Sequence, residues 1–362
     1  MNKNLLLVVI FIMFLTLPNI SYWFLKDKMD NNNYQNRELY KKPEFTFSDI
    51  LSFPRNYDNY FTDHLAYGNE IRKIRSDILY KAFHLGSTSS VIVGEDGWLF
   101  YNGTGDGNPI LDYRNIEIYT NEEKEMFKNS LLNTRNKLNN KDINFYLLVI
   151  PNKENVYSYK LKKIIKKSNR KYSKTEDLIN YLRENTDLNI IYPKDELMSA
   201  TTEVETYYKY DTHWNNYGAF LGVMKLIEDF DNEFEIPDIK VTYEYSSGDL
   251  ATMNLLPNLS NEEPNVKNFY DDITYSCESS TNLKICNSDN AIYDKTILFV
   301  GDSFRNATVQ YLAKIYKRAV IIHKNEVKED LITKYDVDTV VYESVERYSN
   351  DLLNTNILVN DY

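Results

Sequence analysis

The sequence predicts an α/β protein built on a parallel sheet with crossover helices, and three observations predict it. Near the C-terminus the short apolar runs ILFV (297–300), AVII (319–322) and TVVY (339–342) alternate with helical segments over 304–317 and 326–334. Parallel strands joined by crossover helices require that alternation. A buried-strand run, FYLLVI (145–150), follows a segment carrying Met126, Phe127, Leu131 and Leu138 at helical spacing. Gly301-Asp302-Ser303-Phe304 lies between the ILFV strand and a helix, at the kind of turn where open sheets bind ligands.

A chain of 362 residues holds one large domain with appendages or two modest ones. Hydrophobic residues at 43% and charged residues at 26%, with 11 Gly and 9 Pro, exclude collagen-like, low-complexity and disordered readings. A net charge of -11 repels phosphate backbones, so nucleic acid is not an expected partner. Two Cys and 4 His, with no CxxC pair and no HExxH, leave a zinc centre without ligands. No metal and no cofactor is expected.

In chain order, residues 5–25 are an almost wholly apolar run long enough to cross a bilayer. Tyr22 and Trp23 suit an interfacial aromatic belt, and no Ala-x-Ala-like cleavage site follows. Residues 1–25 are therefore expected to form an uncleaved transmembrane anchor, with the rest of the chain outside the cytoplasm. Residues 26–45 are polar and aperiodic and read as a stalk. After an irregular helical segment comes VIVGEDGWLFY, where Asp96-Gly97 between apolar runs signals a β-hairpin. Thr120 and Glu123 make a capping box for the next helix. A helix over 175–184 and the strand LNIIY (188–192) follow, and YYKYDTHWNN leads into the apolar helix GAFLGVMKLIEDF. From 231 to 294 the composition shifts to Asn, Asp, Ser and Glu, an irregular insertion and a candidate lid. Within it Cys277 and Cys286 are nine apart, a candidate disulfide in an exported protein, the alternative being two unpaired thiols.

The chemistry concentrates at Ser303, whose turn can present the hydroxyl at the carboxyl edge of the sheet beside backbone N–H groups able to hold an oxyanion. Without a partner base, Asp302 and Ser303 would be simple helix caps. Asp211-Thr212-His213-Trp214 supplies the partner. In an extended segment residues two apart face the same way, so Asp211 can fix the tautomer of His213 and leave its other nitrogen free to take a proton. Of the other histidines, His323 ends a strand one unit after Ser303 and is the alternative base, although no carboxylate lies at a comparable distance in sequence. Three strand ends carry polar residues, and from them Asn152, Lys153 and Arg347, with Arg305 beside Ser303, are expected to line a substrate groove.

Taken together, GDSF after a strand, DTHWNNYGAF with its lead-in YYKYD, GEDGWLFY, PNKENVY and SGDLATM resemble the alginate O-acetyltransferase type of the SGNH-hydrolase-like superfamily, which includes proteins named for a DHHW motif. The resemblance spans about residues 50–350. It implies a three-layer α/β/α SGNH-hydrolase-like (flavodoxin-like) domain over 46–362. It further implies Ser303 as nucleophile, His213 as base and Asp211 as its orienter, and acetyl transfer onto a secreted polysaccharide. The implied partners are a membrane-bound O-acyltransferase as acetyl donor and a polysaccharide synthase or secretion complex. The order of the Ser block and the Asp-His pair is permuted relative to ordinary SGNH hydrolases, and Thr212 stands where DHHW proteins have His. A carbohydrate acetylesterase with the same triad and an inert scaffold of a secretion complex are the alternatives.

Overall fold

The computed structural model describes the chain apart from residues 1–2, 29, 31, 33–37, 66, 162, 164, 328–329 and 360–362. It divides into two compact units, one over 1–88 with 251–258 and the other over 89–250 with 259–362.

The first unit is helical, with α1 (Lys3–Leu25), α2 (Phe53–Asp63) and α3 (Gly68–Phe83). Apolar side chains of α1 such as Leu7 and Phe14 are exposed. The side chains of residues 18, 19, 22 and 23 lie outside the described set. Among the described residues no helix is long and apolar enough to cross a membrane, so α1 alone does not establish the span expected over 1–25. Part of the expected stalk also lies outside the described residues. Its described portion is tied to α3: the Asp30 N–H donates to Glu70 Oε1 (3.1 Å) and Asn69 Nδ2 donates to the Asp30 carbonyl (2.7 Å).

The second unit opens with a hairpin of β1 (Val91–Val93) and β2 (Leu99–Tyr101), turning at Glu95–Gly97 as the Asp-Gly signal predicts. Its main sheet uses β3 (Asn144–Ile150) and β4 (Asn189–Ile191). A separate antiparallel pair, β5 (Lys240–Ser246) and β6 (Asn261–Lys267), comes from the segment read as irregular. The same segment contributes β7 (Ser276–Ser279) and β8 (Leu283–Asn287) to the main sheet, completed by β9 (Tyr293–Gly301), β10 (Tyr316–His323) and β11 (Thr339–Val345). The strand order is β4-β3-β11-β9-β10-β8-β7. The first five are parallel, whereas β8 runs antiparallel to β10 and β7 antiparallel to β8. The sheet is thus mixed rather than wholly parallel. The three-residue link between β7 and β8, too short for a crossover and long enough only for an antiparallel turn, makes that pair antiparallel.

Both faces of the sheet are covered, which explains why its strands read as unbroken apolar runs. Along β3, Phe145, Leu147 and Val149 pack with Phe127, Leu131 and Leu178 of one helical layer. The alternating Tyr146, Leu148 and Ile150 pack with Trp214, Phe220 and Leu226 of the other. The capping box at Thr120 forms as expected, its hydroxyl accepting from the Glu123 N–H. After Ser303 the predicted helix over 304–317 is shorter: a 3-10 turn Ser303–Thr308 and one helix Val309–Ile315, after which the chain extends directly into β10.

Candidate active site

Ser303 follows the last residue of β9 by two positions, and the turn that holds it is built by neighbouring strand ends. A backbone N–H leaving a strand loses its ladder partner and, once buried, needs another. Asp302 meets two such needs: Oδ1 accepts from the Phe304 N–H (3.0 Å) and Oδ2 from the Val345 N–H at the end of β11 (2.9 Å). Glu343 of β11 accepts the Asp302 N–H (3.0 Å). Burial, followed by the charge of Asp302, holds the Glu343 carboxyl well above the usual carboxylate range. A Cβ at position 301 would lie 2.0 Å from Glu343 Oε2, so only glycine leaves room for this support.

The base side is a loop pinched by an isolated bridge between Tyr207 and Trp214, with the Tyr208 N–H donating to the His213 carbonyl (3.2 Å). Asp211 and His213 lie in a bend rather than an extended strand. They meet through an Asx-type turn: the His213 N–H donates to Asp211 Oδ1 (2.9 Å), and the same oxygen lies 2.7 Å from His213 Nδ1. On the far side of the ring, His213 Nε2 is 2.7 Å from Ser303 Oγ. Trp214 joins the two halves, its indole N–H donating to the Phe304 carbonyl (2.9 Å). The helix Asn216–Phe230 makes room for that indole at Gly222, where a Cβ would sit 2.6 Å from the ring.

Burial pulls the His213 pKa down, but the hydrogen bond and charge of Asp211 outweigh it, and the imidazole stands above its ordinary 6.5. For Asp211 burial acts upward and is outweighed by His213, leaving it below 3.8. The two shifts have the signs of one stabilised ion pair. A second acid, Asp249, completes the arrangement. Its N–H donates to Asp211 Oδ2 (2.8 Å), and its carboxylate accepts from the Thr212 N–H (2.9 Å) and hydroxyl (2.6 Å). Its Oδ2 lies 3.8 Å from His213 Nδ1. Asp211, His213 and Asp249 are close enough to suggest a metal cluster, yet the Nδ1 that would ligate already faces Asp211 at hydrogen-bond distance.

The serine, the imidazole and Asp211 open on a cleft of about 370 Å³ that also includes Tyr208, Asn216 and Glu263. The expected groove residues do not line it. Lys153 is buried, its ammonium donating to the carbonyls of Leu99 (2.7 Å), Lys209 (3.0 Å) and Asp211 (2.9 Å), where it fastens the base loop. Asn152 is also buried: its N–H donates to Glu346, its Nδ2 to Asp112, and its Oδ1 accepts the Arg347 N–H. Arg305 reaches back to the Asp302 carbonyl (2.6 Å). Arg347 pairs with Asp106 (3.1 Å) and lies over the Phe304 ring. All four serve the same need, pairing backbone groups and charges where buried strands end. His323 caps the turn after β10, its Nδ1 accepting the Asn325 N–H (3.2 Å). Cys277 and Cys286 are disulfide-bonded across the directly paired positions of β7 and β8. Sequence reasoning missed Asp249, Tyr208 and Glu263. The SGDLATM stretch was the one signal for Asp249, and it carries no chemistry until the fold places it beside His213.

A mixed sheet with helices on both faces, its serine turn at the carboxyl edge of a central strand, is an SGNH-hydrolase-like α/β fold. Residues 91–330 match the family described as SGNH hydrolase-like domain, acetyltransferase AlgX, and the chain belongs to that family. Among solved structures, Bacillus cereus PatB1 with a sulfonyl adduct is similar at 18% identity and a TM-score of 0.51, over 72% of this chain and 95% of that one. A DHHW family protein from Eubacterium siraeum is similar at 13% identity and a TM-score of 0.53, over 76% and 96%. No curated protein sequence matches the chain.

Proposed function

We propose that this protein is an extracytoplasmic O-acetyltransferase that carries an acetyl group on Ser303 and delivers it to hydroxyls of a secreted polysaccharide. The observation that carries the reading is the unbroken hydrogen-bonded chain from Asp211 through His213 to Ser303, open to a cleft. In the first half-reaction His213 Nε2 takes the Ser303 proton as Oγ attacks the acetyl carbonyl, and returns it to the departing group of the donor. In the second, an acceptor hydroxyl loses its proton to His213 and attacks the acetyl-serine carbon, and Ser303 leaves with that proton. Asp211 stabilises the imidazolium formed in each half. The Ser303 N–H, with the amide of Asn306 in the same cleft, is the proposed oxyanion donor pair, each such donor contributing about 3 kcal/mol.

The acetyl donor on this reading is a membrane-bound O-acyltransferase, and a polysaccharide synthase or secretion complex supplies the acceptor. The apolar run over 5–25 then serves as the membrane anchor. The Cys277–Cys286 disulfide suits an oxidising compartment outside the cytoplasm.

The test is to incubate the full chain with an activated acetyl ester, with and without an oligosaccharide acceptor. Acetylated sugar is expected, and Ser303→Ala abolishes it with the circular dichroism unchanged. Acetate release that ignores the sugar would mean an esterase instead. No turnover alongside retained glycan binding would mean a scaffold.

A further inference from the structure

Resting on that acyl-transfer reading, we infer that the acceptor is an uncharged glycan and that Glu263 selects it. Glu263 lies on β6, on the wall of the cleft that contains Ser303 and His213. Its Oε1 accepts two hydrogen bonds, from the Tyr208 hydroxyl (2.7 Å) and from Asn216 Nδ2 (3.0 Å). A carboxylate has capacity for about four such bonds, and among the described residues the hydrogen bonds to the Glu263 carboxylate both go to Oε1. Oε2 is the oxygen left to meet a donor from the cleft. Sugar hydroxyls are such donors, and a wall made of a carboxylate, a phenol and an amide matches a ring of alternating hydroxyls.

The charges on the cleft exclude the other large class of acceptor. Among its described lining residues there is no Lys or Arg, while Asp211 and Glu263 both contribute carboxylates. Asp249 lies directly behind His213, and Glu244 stands opposite Glu263 in the β5–β6 ladder. The cations nearby are spent elsewhere. Lys153 is sealed against three carbonyls, Arg347 pairs with Asp106, and Arg305 holds the Asp302 carbonyl. A polyuronate brings a carboxylate on each sugar into this field, where the nearest cation, Arg347 behind the Phe304 ring, is already paired with Asp106, a juxtaposition of like charges that interfaces use to reject partners. Alginate, the polyuronate of the family's name, is therefore the wrong acceptor for this chain.

The experiment gives the full-length protein an activated acetyl ester and, in parallel, a neutral β-glucan pentasaccharide or an oligouronate of the same length. Acetyl-Ser303 is read by mass spectrometry, and transfer to each sugar is read relative to acetate released to water. The neutral sugar is expected to be preferred by about tenfold or more in kcat/KM, with added salt raising transfer to the uronate. Glu263→Gln should shrink that preference several-fold. Equal or greater transfer to the oligouronate overturns the inference, as does a preference that Glu263→Gln leaves unmoved. If Ser303 takes up acetyl but neither sugar accepts it, this inference fails while the acyl-enzyme stands. If Ser303 takes up no acetyl group, the underlying reading fails.

Discussion

At the scale of single residues, His213 must be neutral to accept a proton, yet Asp211 holds its pKa above the ordinary 6.5. The acid limb of kcat/KM should therefore lie above that value, activity rising as the imidazole deprotonates. Asp211→Asn removes the charge, leaving a neutral amide acceptor and the burial, so the limb is expected to move to lower pH. Turnover should fall by less than the ~10⁴-fold typical of a lost triad aspartate, because Asp249 Oδ2 remains 3.8 Å from the ring. A pH profile of both proteins checks this, and an unmoved limb would remove His213 from the role of base. The Asp211–His213 contact was legible in sequence because it spans two residues and an Asx turn is local chemistry. Asp249 and Glu263 were not, because their partners lie 37 and 47 or more residues away, in a stretch without apolar periodicity. Lys153, Asn152, Arg305 and Arg347 were misread for a different reason. A polar side chain at a strand end looks the same in sequence whether it faces a substrate or an orphaned amide.

At the scale of elements, β7 is an exposed edge strand held to β8 by a short ladder and the Cys277–Cys286 bond. Closing so small a loop contributes about 2–3 kcal/mol on a chain-entropy account. Replacing both cysteines with serine should therefore remove amide-exchange protection over residues 276–287 and leave acetyl transfer intact. Loss of protection across the whole sheet would instead mark the edge as part of the folding core. The parallel strands were legible because each is buried on both faces and reads as an apolar run. β7 and β8 were not, since one is wholly exposed and the other half-buried. The end of the helix after Ser303 was also misjudged. Lys317 and Arg318, exposed and half-buried near the strand's amino end, broke the apolar pattern that marked the strand.

At the scale of the molecule, the second unit encloses several acids that its sheet ends require. Burial and the charge of Glu346 push Asp112 up to about 7, against 3.8 for the ordinary side chain. The folded protein thus keeps a proton that the unfolded chain releases, and stability falls as pH rises from near 4 to about 7. Asp112→Asn keeps an acceptor for Asn152 Nδ2 and carries no charge. Its melting temperature should exceed that of the parent by several degrees at pH 8 and converge with it at pH 4. A gap independent of pH would mean that packing, not ionisation, separates the two proteins. The ammonium of Lys153 has a longer reach. It distributes its three protons among main-chain oxygens of β2 and of the loop that presents His213, so the imidazole takes its bearings from a hairpin more than a hundred residues upstream. An insertion or a lost strand at that hairpin would disarm the serine without altering any atom that meets acetyl or sugar.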